Sequence, residues 1–250
     1  MPLLTNREGI ALHFVDEGSG MPVILLHGFG MSADSCWGSR GWYPLLNGHG
    51  FRAIALDSRG HGQSAKLTDP ALYDSDKMKA DVIELLVHLG VEKAFFIGHS
   101  MGARTVINLL AEDSARVLAA VLVSVGENAF TSPNTRMLAD ALIANDPSVL
   151  PPALAPFVEM LLSMGNDAAA LAAYCMNPRP PVSPEYLAGI DTPVKIVCGS
   201  KDFVVGDANK LAAAIRNSDA TIVAECEHTD VLSSSKLQAL ATDFFTDCAK

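Results

Sequence analysis

Residues 94–102 read Ala-Phe-Phe-Ile-Gly-His-Ser-Met-Gly, an apolar run that ends in a serine between two glycines. The apolar part, Ala94–Ile97, has the length of a buried strand, and the following segment, Ala103–Ala111, has the length and composition of a helix. A strand that turns directly into a helix needs a sharp turn, and flanking glycines remove the side chains that would collide there. The pattern predicts that Ser100 lies at the apex, with its hydroxyl exposed for nucleophilic attack on a carbonyl.

Strands and helices alternate on both sides of this turn. Apolar runs of strand length occur at 22–26, 52–56, 117–124, 193–199 and 221–224. Alternation of this kind predicts an α/β fold with a doubly wound, mostly parallel sheet, whose functional groups lie at the carboxyl ends of the strands. The turn residues Glu17–Gly20 also predict a hairpin that joins residues 9–16 to the strand at 22–26.

The segment 126–190 differs from the rest of the chain in composition. Proline is frequent there, and the pieces between prolines are rich in Ala, Leu and Met and have helical length. We therefore predict a core formed by residues 1–125 and 191–250, with residues 126–190 inserted after the sixth strand as a helical cap.

Composition and charge argue against several classes of function. The net charge of -10 disfavours binding to nucleic acid or to anionic membranes, which requires basic surfaces. No apolar run approaches the length of a membrane span, and the N-terminus lacks a signal-peptide pattern, so we expect a soluble, cytoplasmic monomer or homodimer. The five cysteines are scattered without a Cys-x-x-Cys pair, so we expect neither disulfides nor a metal site, and we predict no cofactor.

Two other polar segments follow predicted strands. The loop His27–Gly30 (His-Gly-Phe-Gly) could present backbone amides to an oxyanion, or could be a simple glycine-rich turn. The segment Asp57–Ser64 contains Asp57 and His61, which could be mistaken for a catalytic pair. We favour a structural role for this segment, since Asp and Arg side chains can hydrogen-bond the backbone of their own turn.

Together these segments resemble the α/β-hydrolase family over nearly the whole chain. The resemblance rests on His27–Gly30, Asp57–Ser64, Gly98–Gly102, Gly199–Asp202 and Glu227–His228.

The resemblance implies roles for particular residues. Family members keep the order nucleophile, acid, histidine along the chain, and His228 is the sole histidine after Ser100. Ser100 is then the nucleophile, His228 the base and Asp202 the acid that orients it. The resemblance also implies an oxyanion hole formed by the backbone amides of Phe29 and Met101. The alternatives are His99 as base and Asp207 or Glu127 as acid.

The predicted cap would cover Ser100 and shape a substrate pocket. Its apolar residues could line that pocket, although packing between helices is the alternative role for each; the candidates are Met137, Leu138, Phe157, Met160 and Leu161, with Leu142, Met164 and Met176 in addition. The cap holds Arg136 and Arg179 against six acidic residues. We therefore expect an uncharged, mainly apolar acyl group, an expectation that one well-aimed arginine would reverse.

Three hypotheses for function follow. The first is a serine hydrolase that cleaves small to medium carboxylic esters through an acyl-enzyme. The second places the same residues in a lactonase, thioesterase, amidase, carbon–carbon bond hydrolase or acyltransferase. The third is a ligand receptor with residual hydrolysis. A serine at the turn argues against haloalkane dehalogenase or epoxide hydrolase chemistry, which needs a carboxylate nucleophile.

Overall fold

The computed structural model describes residues 2–152 and 154–250. Within these ranges the chain forms one sheet of eight strands: Leu3–Thr5 (β1), Ala11–Glu17 (β2), Met21–Leu26 (β3), Phe51–Leu56 (β4), Ala94–His99 (β5), Val117–Val123 (β6), Val194–Gly199 (β7) and Ser218–Val223 (β8). The same ranges contain ten α-helices: Ala33–Cys36 (α1), Trp42–Gly48 (α2), Ser75–His88 (α3), Met101–Glu112 (α4), Arg136–Ala144 (α5), Ala155–Ser163 (α6), Ala168–Met176 (α7), Pro184–Ala188 (α8), Ala208–Ala214 (α9) and Ser235–Cys248 (α10). None of the helices in the described ranges is long and apolar enough to cross a membrane.

The sheet is mostly parallel, as the alternating pattern predicts. Its strand order is β1-β2-β4-β3-β5-β6-β7-β8. The pairings of β1 with β2 and of β2 with β4 are antiparallel, and all the pairings from β4 through β3 to β8 are parallel. The carboxyl ends of β3, β5, β6, β7 and β8 therefore meet at one edge of the sheet.

The hairpin predicted between residues 9–16 and 22–26 is wrong. β2 pairs with β4, where Phe14 lies opposite Leu56, and β3 lies between β4 and β5. The residues Val23–Leu26 of β3 are buried on both faces, which suits a central strand, whereas β2 is only half-buried from Val15 onward. Burial of the apolar strand determines the pairing, and the short turn before it does not.

Two hydrophobic cores lie on opposite faces of this sheet, because side chains alternate along each strand. In β3, Ile24 and Leu26 pack with residues of α3, α4 and α9, whereas Val23 and Leu25 pack with residues of α2 and α10. Each fully buried aliphatic side chain of this kind contributes about 1.5–3 kcal/mol relative to exposure. The two cores hold the loops at the sheet edge in fixed positions.

Helices α5 to α8 lie between β6 and β7 in the chain, so a helical segment does follow the sixth strand. Buried residues of α5, α6 and α7 form a third cluster, which also contains Tyr73 and Met101 from the rest of the protein. This segment thus packs directly over the start of α4. The boundaries 126 and 190 and the division into core and cap stay a prediction.

The segment Asp57–Ser64 is a turn held by its own polar groups. The Asp57 carboxylate accepts hydrogen bonds from the backbone N–H of Ala33 (2.6 Å) and Gln63 (2.8 Å) and lies 2.8 Å from Nδ1 of His13. Arg59 is buried and donates to the Asp81 carboxylate instead of to the turn backbone (2.7 Å from Nε). The Asp57 carboxylate therefore stabilises this turn, which is the structural role that the sequence predicts.

His61 in this turn is fully buried beside aromatic rings. Its Nδ1 lies 3.0 Å from the carbonyl oxygen of Arg59, so this nitrogen carries the proton and donates. Its ring centroid lies 5.2 Å from that of His27 and 5.7 Å from that of Phe29. Burial, helped by the neighbouring imidazole of His27, lowers the pKa of His61 to about 3. His61 is therefore neutral in the folded protein at pH 7.

This burial makes stability depend on pH. Between the unfolded pKa of 6.5 and the folded pKa of about 3, the unfolded chain binds the extra proton, so the free energy of unfolding decreases as the pH falls. A pKa difference is worth about 1.4 kcal/mol per unit, so His61 should account for about 2 kcal/mol of destabilisation between pH 7 and pH 5. Urea unfolding at both pH values should show a smaller pH effect in His61→Gln. The exposed His49 provides the control: His49→Gln should keep the native pH dependence, and an unchanged dependence in His61→Gln would contradict the assignment.

Candidate active site

The sharp turn predicted at Ser100 is present between β5 and α4. Ser100 has φ 50° and ψ -104°, a conformation that L-residues rarely adopt. A Cβ on Gly98 would lie 2.7 Å from the Ala103 backbone, and one on Gly102 would lie 2.2 Å from the Leu26 carbonyl oxygen. Both glycines are therefore required by space, because the start of α4 passes directly against neighbouring backbone.

Ser100, His228 and Asp202 form a continuous chain of hydrogen bonds. The hydroxyl of Ser100 lies 3.0 Å from Nε2 of His228, and Nδ1 of His228 lies 2.8 Å from Oδ2 of Asp202. Asp202 follows β7 and His228 follows β8, so the parallel sheet brings both loops beside the end of β5. The Asp202 side chain is fully buried, whereas 24% of the His228 side chain is exposed towards solvent.

Electrostatics favour an ionised Asp202. Burial would raise the pKa of this carboxyl, but the hydrogen bond and charge of His228 and the N–H of Val204, 3.0 Å away, together hold the pKa below its ordinary value. A carboxylate at this position requires the proton on Nδ1 of His228. Nε2 then faces Ser100 as an acceptor, which is the arrangement needed to remove the hydroxyl proton.

Two polar groups hold the backbone of His228. Its carbonyl oxygen accepts from Nε2 of His99 (3.0 Å) and from the hydroxyl of Ser124 (2.7 Å), at the end of β6. Burial and the nearby His228 ring lower the pKa of His99 to about 3, so His99 is neutral. His99, the alternative base, thus contacts the backbone of His228 and makes no hydrogen bond to Ser100 among the described residues. Ser124 was not anticipated from the sequence, which carries no motif there.

The two alternative acids lie elsewhere. Glu127 forms an ion pair with Lys210, and Asp207 accepts from the backbone N–H of Asn209 (2.9 Å) at the start of α9. Within the described ranges, neither carboxylate hydrogen-bonds to His228.

Phe29 and Met101, the residues predicted to form an oxyanion hole, both lie next to Ser100 at the same cavity. Both residues line the same cavity as Ser100, and Met101 is the first residue of α4. Within the part of the chain that the structure describes, neither N–H has a hydrogen-bond acceptor. At Met101 the positive end of the α4 dipole adds to the N–H, so this position suits an oxygen that acquires negative charge.

The cavity next to Ser100 has a volume of about 360 Å³, which falls within the range of ligand sites. Of the five cap residues expected to line it, Leu138 alone does so. Met137, Phe157 and Met160 lie exposed on the helical segment, and Leu161 is buried in the third core, over Gly30. These four side chains are therefore either exposed or packed within the helical segment, and they do not line the cavity.

Two arginines line this cavity, contrary to the expectation of an uncharged site. They are Arg104, on α4, and Arg179, after α7. Arg104 lies four residues after Ser100, and residues at that spacing share one face of a helix, so the sequence carried a signal for it. Arg179 is brought in by the packing of the helical segment, for which the sequence offers no local signal.

Among residues 2–152 and 154–250, no group of three or more His, Cys, Asp or Glu side chains is arranged to hold a metal ion.

Comparisons with known proteins identify the fold family. Residues 21–151 match the family model described as alpha/beta hydrolase fold. Among curated proteins, a non-heme haloperoxidase of Rhodococcus erythropolis is 37% identical over 124 residues, which cover 49% of this chain and 43% of the relative. Bifunctional epoxide hydrolase 2 of Sus scrofa is 37% identical over 103 residues, covering 41% of this chain and 18% of the relative. The match thus spans less than half of either relative.

Among solved structures, a thermophilic esterase from Thermogutta terrifontis superposes with a TM-score of 0.80 at 22% identity, covering 100% of this chain and 99% of the esterase. At this identity the likeness shows the fold. The matched family model extends from β3 through β4, β5 and β6 and includes the turn at Ser100. The chain therefore belongs to the α/β-hydrolase fold family.

Proposed function

We propose that this protein hydrolyses carboxylic esters of small to medium size through an acyl-enzyme on Ser100. The observation that carries the proposal is the hydrogen-bond chain from the hydroxyl of Ser100 to Nε2 of His228 (3.0 Å) and from Nδ1 to Asp202 (2.8 Å). A serine hydroxyl is a weak nucleophile unless a positioned base removes its proton. The buried, ionised Asp202 supports that base by stabilising the imidazolium that forms.

The proposed reaction has two halves. Ser100 attacks the carbonyl carbon while His228 takes the hydroxyl proton, and the proton then passes to the departing alcohol. Water next attacks the acyl-enzyme with His228 again as base, and this step releases the acid and restores Ser100. In both halves the carbonyl oxygen becomes an oxyanion, which the free N–H groups of Phe29 and Met101 would stabilise by about 3 kcal/mol per donor.

The haloperoxidase and epoxide hydrolase relatives represent other chemistry on the same fold. Epoxide opening in this family needs a carboxylate nucleophile, and this chain has a serine at that turn. Lactones and thioesters present the same carbonyl to Ser100 as esters do. A panel of esters, lactones and thioesters, ranked by kcat/KM, would determine which bond is preferred.

Labelling with an alkyl fluorophosphonate tests the proposal. The Ser100 oxygen should attack phosphorus, fluoride should leave, and His228 should take the hydroxyl proton, so that one phosphonyl group is added per chain. Mass spectrometry of the intact protein and of its peptides should place the group on Ser100. The fraction of ester hydrolysis that is lost should equal the fraction of protein that is labelled. Labelling at another residue, or full labelling with retained hydrolysis, would contradict the proposed nucleophile.

A further inference from the structure

Two arginines that lack an anionic partner within the described ranges line the cavity beside Ser100. Arg104 and Arg179 both line it, and neither forms an ion pair with a carboxylate among the residues the structure describes. We propose that this pair binds a free carboxylate of the substrate, so that the enzyme prefers esters or lactones that carry a carboxylate several carbons from the scissile bond. This inference rests on the proposed function for the site of cleavage, but the binding of the carboxylate can be measured without catalysis.

Arg104 is held in place but keeps unused donors. Its Nη1 donates to the carbonyl oxygen of Ala129 (3.4 Å) and its Nη2 to that of Pro180 (3.0 Å). A guanidinium has five N–H groups in a planar fork, so other donors stay available for a ligand. The backbone N–H of Arg104 bonds the Ser100 carbonyl oxygen (3.1 Å), which places the two residues one helical turn, about 6 Å, apart along α4.

Arg179 is positioned from the other side of the cavity. Its Nη2 lies 2.8 Å from the hydroxyl oxygen of Thr135, and its guanidinium lies 4.8 Å from the ring centroid of Tyr174. The Thr135 hydroxyl donates to the carbonyl oxygen of Cys175 (2.6 Å), which leaves its oxygen free to accept from Arg179. Hydrogen bonding and stacking thus fix this guanidinium without neutralising its charge.

Two unpaired arginines lie at this one cavity of an acidic protein. The chain has 28 acidic against 18 basic residues, and four of its seven other arginines pair with carboxylates: Arg52 with Asp16, Arg59 with Asp81, Arg136 with Asp140 and Arg216 with Asp191. Burial lowers the pKa of Arg104; Tyr174 opposes this effect, and the like charge of Arg179 adds to it. Two neighbouring cations with reduced hydration are costly, and a bound anion would relieve that cost.

A carboxylate suits the cavity better than a phosphate dianion does. The lining of the cavity also includes Val125, Ala129, Leu138 and Val205, so it fits an apolar chain that ends in one charged group. Carboxylates and phosphates both accept two parallel N–H bonds from a guanidinium fork, so the apolar lining carries the choice of a carboxylate.

Matched substrates test the preference. One pair places the carboxylate on the acyl side, as mono-4-nitrophenyl adipate against 4-nitrophenyl hexanoate. The other places it on the alcohol side, as 4-acetoxybenzoate against 4-acetoxybenzamide. We expect the native protein to prefer the charged member of at least one pair by tenfold or more in kcat/KM. In Arg179→Gln and Arg104→Gln that ratio should fall by about 10- to 100-fold, as for loss of a charged hydrogen bond.

The controls separate charge recognition from folding. Each ratio compares two substrates on the same sample, so a lower folded fraction cancels, and Arg104→Lys should keep part of the preference. Arg136→Gln removes an exposed arginine from the same helical segment and should leave the ratio unchanged. Equal kcat/KM within both pairs in the native protein, or an unchanged ratio in both glutamine variants, would overturn the inference.

Binding to an inactive protein separates this inference from the proposed function. Calorimetry with monomethyl adipate on Ser100→Ala should show saturable binding that is lost when Arg179→Gln is added. Binding of this kind without any ester turnover in the native protein would support the carboxylate site and contradict the proposed function. Turnover of neutral esters without such binding would support the proposed function and contradict the carboxylate site. Inorganic phosphate that binds more tightly than monomethyl adipate would overturn the choice of a carboxylate.

Discussion

Replacing Ser100 by alanine is expected to lower kcat for 4-nitrophenyl esters by about 10⁵- to 10⁶-fold, the scale found for nucleophile removal in serine hydrolases. The variant keeps the cavity and the two N–H donors but has no oxygen 3.0 Å from Nε2 of His228. No acyl-enzyme can form, so water attack assisted by the remaining groups is the sole residual route. Initial rates at saturating substrate measure the loss of kcat. Fluorophosphonate labelling of the same sample shows whether any native protein contaminates it.

A serine far from the site provides the control for this result. Ser39 is exposed, and within the described part of the chain its hydroxyl bonds only the Ser35 carbonyl oxygen, so Ser39→Ala should keep native kcat and melting temperature. A Ser100→Ala protein that retains more than about one hundredth of the native kcat would contradict Ser100 as nucleophile, because no other group replaces a covalent step that well.

The second large effect is expected from Asp202→Asn, which should lower kcat by about 10⁴-fold. Asparagine keeps the size of the side chain but can donate from its amide to Nδ1 of His228. The imidazole then carries its proton on Nε2, which faces Ser100 and can no longer accept the hydroxyl proton. Because the Asp202 side chain is fully buried, water cannot take over its charge. The measurement is kcat near pH 8, with KM for the same ester as a check that binding is kept.

Glu127→Gln is the matched control, since Glu127 is the alternative acid nearest in sequence to the end of β6. Its carboxylate pairs with Lys210 on α9, so its loss should leave kcat within about twofold, as expected for an exposed ion pair. Equal losses in Asp202→Asn and Glu127→Gln would show that the assigned acid is wrong.

Features that depend on neighbouring residues could be predicted from the sequence. The turn at Ser100 is one, because a strand, two glycines and a helix in immediate succession leave the backbone few alternatives. The class of sheet is another, since buried parallel strands must be apolar along their whole length. Ser100, Asp202 and His228 each follow a predicted parallel strand, which placed them at the same edge, and the structure brings them within hydrogen-bonding distance.

Features that depend on contacts between distant segments could not be predicted in the same way. The pairing of β2 with β4 depends on which strands become buried in the centre of the sheet. The turn before β3 does not determine it. The His228 carbonyl is held by His99 and Ser124, which lie 129 and 104 residues away in the chain. No local pattern reports such a pairing, because any polar side chain at a strand end could serve.

The cavity illustrates the same division most clearly. The amino-acid pattern of residues 94–102 was sufficient to predict the turn at Ser100, because that turn is built by its own strand and helix. The sequence was not sufficient for Arg179, which follows α7 and reaches the cavity only because the helical segment packs beside α4. Its neighbour Pro180 accepts a hydrogen bond of 3.0 Å from Arg104, 76 residues away in the chain. The packing of the helical segment buries Leu161, exposes Met137 and brings Arg179 to the cavity that Arg104 also lines. The turn that exposes Ser100 is therefore local in origin, whereas its hydrogen-bond partner His228 and the charged side chains that line the cavity are brought together by long-range packing.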